Sequence, residues 1–497
     1  MRTITGVLII VMLCLFLSGA SGDGVQHNRA LLIGVDTFIS KENTASTAEN
    51  DVQIMADTLR FGTIPFETIL IPDQPVSSAQ ILEHVIREAF QEADDGDNSY
   101  LYISTHGAYN DDGEAVLLLS DGQTEAGVTA MELQAMLDGI RGRKVLVLDA
   151  CYSGAFIGKG CRVQPDKVAF RTPDYKVLTS SGATEESWYW NGQGNAGQGN
   201  AAQGSFYFTQ VLAQGLSPRW NYPADLNKNG AVTLAELHHY LLQNHGASTP
   251  QLYPQEDDTV IFTYNPAAKI AEDRAPIVDV VFSDDVMLAD DTVTLTFTAV
   301  RPVRVAYQIV YFREGKWQFD EAELLYDNAE RFTAFGDLAG AVMPGRKVRE
   351  ITLAPNGNDL YGYVLVQVLS LEEDVLTLQT GHVITVTPRT GNLLLSVQTP
   401  DVFRAAVGTE LPIFVQHSLP CALSVTVVDK EGHTVKRLSF RSSTRPLGIW
   451  PAGSCYYWNG RDAGGSLVPA GEYRVRVEAW MGDSSFAANS QIIEITR

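Results

Sequence analysis

Along the first half of the chain, short continuous apolar runs alternate with stretches of helical spacing. Residues 30–35 (ALLIGV), 68–71, 99–104, 144–148 and 176–179 read as strands, because an unbroken apolar run suits a strand covered on both faces. Between them, residues 47–61 place Val52, Met55, Ala56 and Leu59 on one helical face. Residues 77–90, with Ser77 or Ser78 as cap, and residues 130–137 and 206–214 repeat the helical pattern. Such alternation predicts an α/β fold, a mostly parallel sheet with helices on both faces. Beyond a linker of Ala, Pro and charge at 266–276 the period changes to two, with Val278, Val280 and Phe282, then Val293, Leu295 and Phe297. That pattern predicts β-sandwiches, and residues 388–393 divide the region into modules at 277–388 and 391–497. Residues 191–204 (NGQGNAGQGNAAQG) hold no apolar side chain larger than alanine and read as a mobile loop.

Length and charge narrow the options. A chain of 497 residues with 45% hydrophobic content has room for about three domains with real cores. Its formal charge of −23 argues against nucleic acid or an anionic membrane surface as partner. At the N-terminus, a basic Met1-Arg2, an apolar stretch over 7–17 and the small residues Ser18-Gly19-Ala20 form a secretory signal peptide over residues 1–22, cut near Ala20 or Gly22. An uncleaved anchor is the alternative, although the apolar stretch is shorter than a bilayer span. No later segment is long enough to span a membrane, so the expected location is secreted, periplasmic or cell-surface. In such a compartment Cys421 and Cys455 could form a disulfide, which leaves Cys161 without an assigned role.

Two of the strands end in reactive residues. Residues 99–104 run into Thr105-His106-Gly107, and residues 144–148 run into Asp149-Ala150-Cys151-Tyr152-Ser153-Gly154. Neighbouring parallel strands bring His106 and Cys151 to the edge where open α/β sheets bind ligands. A thiol beside an imidazole suffices for nucleophilic catalysis, and a glycine after the histidine lets the backbone approach a substrate closely.

The "STHG" and "DACYSG" motifs, 45 residues apart between His106 and Cys151, resemble the caspase-like cysteine peptidases, in particular the metacaspases and their bacterial relatives. A spacing of about 50 residues is usual for caspases. The resemblance spans residues 28–262, with Ser205-Phe206-Tyr207-Phe208-Thr209-Gln210 similar to a helix start in the caspase small-subunit half. It implies Cys151 as nucleophile, His106 as its acid–base partner, and the N–H groups of Gly107 and Cys151 as oxyanion donors. It further implies that Asp149 and the Asp51 of Asn50-Asp51 line the pocket for the residue before the scissile bond. Acids there favour Arg or Lys and repel acidic substrates; structural carboxylates are the plainer reading of both. Ser180-Ser181 is expected to pair with the substrate backbone as an added strand. Lys159, Arg162, Lys167 and Arg171 lie in a loop between the nucleophile strand and residue 176, where an enzyme specific for basic residues could cut itself or else remain a single chain. The last module, with Trp458-Asn459-Gly460-Arg461-Asp462 and residues 468–473, resembles the immunoglobulin-like domains related to the flagellar hook-capping protein.

Residues 225–236 match an EF-hand loop at every ligand position. Asp225, Asn227, Asn229, Thr233 and Glu236 would supply side-chain oxygens, Ala231 its carbonyl, and Gly230 the turn. Two carboxylates suggest weak Ca2+ binding of extracellular type. The entering side at 217–223 is not an obvious helix, so a single loop, or a metal-free Asx-rich turn, is also expected to fit.

The sequence therefore predicts a caspase-like α/β domain over 23–268 followed by two immunoglobulin-like β-sandwich domains. Its function would be a secreted cysteine endopeptidase cutting protein or peptide substrates after Arg or Lys, with Ca2+ but no organic cofactor. The sandwiches are candidates for cell-surface or protein contact. The alternatives are a retired peptidase serving as a binding scaffold, or an asparaginyl-type peptidase or transpeptidase of the same fold.

Overall fold

A computed structural model describes residues 26–40, 47–160, 168–190, 205–267, 274–288, 291–327, 341–353, 361–372, 375–406, 408–444 and 453–497. The expected signal peptide, the low-complexity segment 191–204, Cys161, Arg162 and Lys167 lie outside them.

The first domain runs β1 (Asn28–Gly34), α1 (Ala48–Phe61), β2 (Thr68–Leu70), α2 (Ala79–Phe90) and β3 (Asn98–Ser104). It continues with β4 (Gly107–Tyr109), β5 (Ala115–Ser120), β6 (Glu125–Thr129), α3 (Ala130–Leu137), β7 (Arg143–Asp149) and β8 (Tyr175–Thr179). Then follow β9 (Tyr189–Trp190), β10 (Ser205–Phe206), α4 (Tyr207–Gly215), β11 (Ala231–Thr233), α5 (Leu234–Asn244), β12 (Gln251–Tyr253) and β13 (Val260–Thr263). The main sheet has the order β12-β8-β7-β3-β1-β2. Five strands are parallel, and β12 pairs antiparallel with β8 at one edge.

Strand alternation sends side chains to both faces, which explains the continuous apolar runs. Ala30, Leu32, Tyr100, Tyr102 and Leu178 pack under α1, α4 and α5. Leu31, Ile33, Leu101, Ile103, Leu146 and Leu148 pack under α2 and α3. Helix α2 begins at Ser78, whose hydroxyl accepts from Ile81 N, and α3 begins at a capping box of Thr129 and Glu132. Strands β4–β6 form a separate three-stranded sheet between the histidine and α3. Its central strand is the apolar run AVLLLS, which is not among the strands expected from the sequence, and Gly107–Tyr109 is too short to show a period.

Two sandwiches follow. In the first, strands 277–282, 292–299 and 345–352 face a larger sheet built on 304–313, 362–372 and 375–387, over a core that includes Val293, Phe297, Val305, Val366 and Ile384. In the second, strands 395–398, 411–417 and 453–458 face a sheet built on 422–429, 434–443 and 471–481, with the fully buried Trp458 in its core. The expected Cys421–Cys455 bond is not formed. Cys421 is a free thiol buried in this core, whereas Cys455 is disulfide-bonded. Spacing within one domain could not show which thiols approach each other. Among the described residues, no helix is long and apolar enough to cross a membrane.

Candidate active site

In-register pairing of β3 with β7 sets Ser104 opposite Asp149. Both strands therefore end level, and the residues that follow, His106-Gly107 and Ala150-Cys151, meet at the carboxyl edge of the sheet. The approach is very close: a Cβ on Gly107 would lie 1.9 Å from the Cys151 carbonyl oxygen. No other residue type fits there. The His106 ring packs on Phe38 with centroids 4.6 Å apart, and its carbonyl accepts from Leu118 N on β5. After the cysteine, Tyr152 adopts a left-handed φ of 61°. The chain then turns into a short 3-10 helix at Ser153–Ile157, anchored in the core by Phe156 and Ile157.

The Cys151 sulfur is half-buried between backbone groups. It accepts from Ser187 N at 3.3 Å and from the N–H of Gly107, and its S–H reaches Ser187 O at 3.7 Å. Burial pushes the thiol up to about 11, the carboxylates of Glu186 and Asp149 add to that, and the two N–H groups oppose it. Burial thus favours the neutral Cys151 thiol, while two backbone donors already face the sulfur.

Asp149 and Asp51 are both fully buried. Asp149 accepts from the hydroxyl of Ser187 at 2.9 Å, from the hydroxyl of Thr209 at 2.7 Å and from Thr209 N at 3.3 Å. Asp51, in the first turn of α1, accepts from Ser104 Oγ at 2.9 Å and Phe206 N at 2.9 Å. Both carboxylates therefore converge on the N-terminus of α4, where backbone N–H groups favour negative charge. Burial nonetheless dominates. It raises Asp149 to about 6, and burial together with the Asp149 charge raises Asp51 well above its ordinary value. Among the described residues no Lys or Arg pairs with either acid.

Ser180 and Ser181 lie beneath the turn that carries Cys151. Both are fully buried. Ser180 Oγ accepts from Ala150 N and donates to Ala150 O, Ser181 Oγ donates to Ala150 O, and Ser181 Oγ accepts from Ser153 N. Their carbonyls take hydrogen bonds from Ser248 and Thr179. These groups are spent on bracing the nucleophile turn, which corrects the expectation that they pair with substrate. The buried Ser187, by contrast, touches both Cys151 and Asp149. Sequence reasoning missed it because it lies in a loop with no periodic pattern. Its neighbour Trp188 packs on Phe319 of the first sandwich at 4.7 Å.

Residues 225–236 form a turn closed by their own side chains and backbone. Asp225 is buried and accepts from Asn229 N, Gly230 N and the Tyr264 hydroxyl. Asn227 Oδ1 also accepts from Asn229 N, and Asn227 Nδ2 donates to Glu236 at 2.7 Å, so loop positions 1, 3 and 12 converge. Asn229 Oδ1 accepts from Ala231 N, Gly230 has φ of +87°, and β11 pairs with β13. Glu236 closes a capping box with Thr233 at the start of α5. The entering side is only a 3-10 turn at Pro218–Trp220, so this is a single loop and not a paired hand. The donor set and its convergence suit a hard cation.

Residues 27–262 match the Caspase domain family. This part of the chain is a caspase-like domain, and the match supports cysteine-peptidase-type chemistry. Among solved structures, caspase-1 from Spodoptera frugiperda aligns at 14% identity over 49% of this chain and 94% of its own length, with a TM-score of 0.32. Dimeric latent PorU from Porphyromonas gingivalis aligns at 12% identity over 54% of this chain and 23% of its own, with a TM-score of 0.18. The CupB2 chaperone of Pseudomonas aeruginosa aligns at 14% identity over 42% and 97%, with a TM-score of 0.22. No curated protein matches the chain.

Proposed function

We propose that this chain is a secreted, metacaspase-like cysteine endopeptidase that cuts after Arg or Lys. The observation that carries the specificity is the pair of buried acids, Asp51 and Asp149, of which Asp149 is linked to Cys151 through Ser187. Two carboxylates held in a dry pocket are costly unless paired. A guanidinium or ammonium from the substrate would supply the missing countercharge.

The chemistry follows from the same atoms. Substrate entering beside Ser187 takes over the hydrogen bonds that hold the resting thiol. His106 accepts the Cys151 proton, and the thiolate attacks the scissile carbonyl. The carbonyl oxygen becomes an oxyanion next to the Gly107 and Cys151 N–H groups. His106 then protonates the leaving amine, and water releases the acyl group. A fluorogenic panel carrying Arg, Lys, Asn or Asp before the cleavage site tests this. We expect turnover with Arg and Lys at least about tenfold above Asn and Asp, the scale of one charge-assisted pair. A preference for Asn would favour the asparaginyl reading, preference for Asp would refute the charge argument, and no turnover with any substrate would favour a binding scaffold.

Secretion rests on the N-terminal segment, and the hook-capping resemblance of the last domain fits a protein displayed outside the cell. In the calcium loop, Asp225, Asn227, Asn229, Thr233 and Glu236, with the Ala231 carbonyl, would hold Ca2+. The ion would bind only the folded loop and so stabilise it. Calcium should raise the melting temperature of the full chain by a few degrees, about what 1 kcal/mol gives. Asp225→Ala with Glu236→Ala should abolish the rise. Equal melting curves in calcium and in chelator would dispose of the site.

Self-processing at Lys159 does not fit this arrangement, because that side chain is fully buried. Arg171 is partly exposed, yet its guanidinium covers the Tyr253 ring at 4.5 Å and donates to Ile157 O.

A further inference from the structure

We propose that Glu410 of the last sandwich is a positioning residue for the active centre. It fixes Lys159 and, through the Lys159-Gly160 backbone, the segment 182–187 that holds the Cys151 sulfur. The inference rests on Cys151 being the nucleophile.

The anchor is a buried charge pair between domains. Lys159 is 0% exposed and Glu410 only 3%. The ammonium lies 2.9 Å from the Glu410 carboxylate. It also donates to Leu252 O and to Gln255 Oε1, and lies 4.8 Å from the Tyr457 ring centroid. The other Glu410 oxygen accepts from Gln255 N at 2.7 Å. A lysine so placed cannot stay charged without a partner, and breaking such a pair leaves the other charge stranded. The contact is therefore specific. A surface ion pair between docked domains would carry no such requirement.

The backbone at this anchor reaches the site. Lys159 N donates to Gly154 O, in the turn after the nucleophile, and Lys159 O accepts from Ala183 N at 2.9 Å. Gly160 N donates to the Tyr457 hydroxyl at 2.7 Å, and Gly160 O accepts from Thr184. Gly160, at φ +88°, lies so close to Gly182 and Ala183 that a Cβ would fall 2.4 Å from their atoms. From there Gly182 N donates to the Glu185 carboxylate, Glu185 O accepts from Tyr152 N, and Ser187 N reaches the sulfur. Each link is a contact, so a shift of the Lys159-Gly160 segment is passed to the residues that hold the Cys151 sulfur. The last domain thereby completes the catalytic one.

The test uses the full chain with Glu410→Gln, Tyr457→Phe and the double variant Lys159→Met/Glu410→Leu. Each is assayed well below its own melting temperature, for kcat and KM on the preferred peptide and for the rate of iodoacetamide labelling at Cys151. Glu410→Gln should lower kcat by about tenfold with little change in KM, the mark of an interaction that sets the reacting geometry. Labelling should rise by about threefold, because segment 182–187 no longer closes on the sulfur. Tyr457→Phe should move both readouts in the same direction by a smaller factor. The apolar double variant, which removes both charges together, should recover most of the kcat lost in Glu410→Gln. If Glu410→Gln fails to fold, the other two variants decide. Wild-type kcat and labelling in variants whose only change is a lower melting temperature would make the pair merely structural and overturn the proposal. If the wild type cleaves no peptide, labelling of Cys151 still reports on Glu410, so the two failures are distinguishable.

Discussion

Replacing Cys151 by alanine should reduce peptide hydrolysis by roughly 10³-fold or more, the scale seen when a nucleophile that acts as part of a unit is removed. The fold should survive. The sulfur is half-buried and its partners are the backbone of Ser187 and Gly107, which can turn to water. The surrounding turn is held independently by Phe156 and Ile157 in the core and by the Ser180 and Ser181 clamps on Ala150. His106→Ala should lose nearly as much, and the double variant little more than either. Steady-state turnover of the purified variants, with circular dichroism as control for folding, checks this. Substantial hydrolysis by Cys151→Ala would remove the assignment.

Asp149→Asn should lower kcat/KM on Arg substrates by at least about tenfold, the worth of one charged hydrogen bond. The pH profile gives a sharper signature. Burial raises Asp149 to about 6, so the carboxylate is largely protonated below that pH and cannot pair with a cation. In the wild type, kcat/KM for Arg substrates should climb as pH rises through about 6, and Asp149→Asn should lack that step. The effect on folding has the opposite sign. A carboxyl whose folded value is raised above 3.8 binds its proton more tightly in the native state. Stability from this group is full below the unfolded value and is lost as pH rises through about 6. Asparagine can keep the geometry, with Oδ1 accepting from Thr209 N and Nδ2 donating to Ser187 Oγ. Asp149→Asn should thus be at least as stable as wild type at pH 8 while less active, measured by thermal melts alongside the assays. A wild-type profile flat across pH 5 to 7 would count against an ionised Asp149 as the recognition group.

The contrast between these residues and Ser187 explains what the sequence could reveal. His106, Gly107, Cys151 and Asp149 lie next to unbroken apolar strands, and strand ends are legible because burial on both faces forces the composition. Asp51 was visible only through resemblance, since an acid in the first turn of a helix is common for local reasons. Ser187 and Trp188 follow Ala183-Thr184-Glu185-Glu186 in a loop whose path is set by contacts with Gly160, Tyr152 and Thr249. No local pattern encodes such contacts. Lys159 was misjudged for the same reason. Beside glycines and other basic residues it reads as exposed, and its burial depends on a carboxylate from another domain. The Ser180-Ser181 pair follows a strand end as expected, but whether a backbone segment there is open to a substrate depends on burial by distant residues such as Ser248, which position in the chain does not encode.

The Lys159–Glu410 contact also puts a clock on the molecule. Lys159 is made 251 residues before Glu410. At about 5–20 residues per second, the ribosome needs roughly 10 to 50 s to cover that distance. Throughout this interval the catalytic domain has emerged without the carboxylate that its buried lysine requires. If Glu410 positions the active centre as proposed, the site would settle only once the last sandwich has folded and docked. A peptidase assembled in that order would stay quiet while its own chain is still being made, when newly formed polypeptide is most open to being cut.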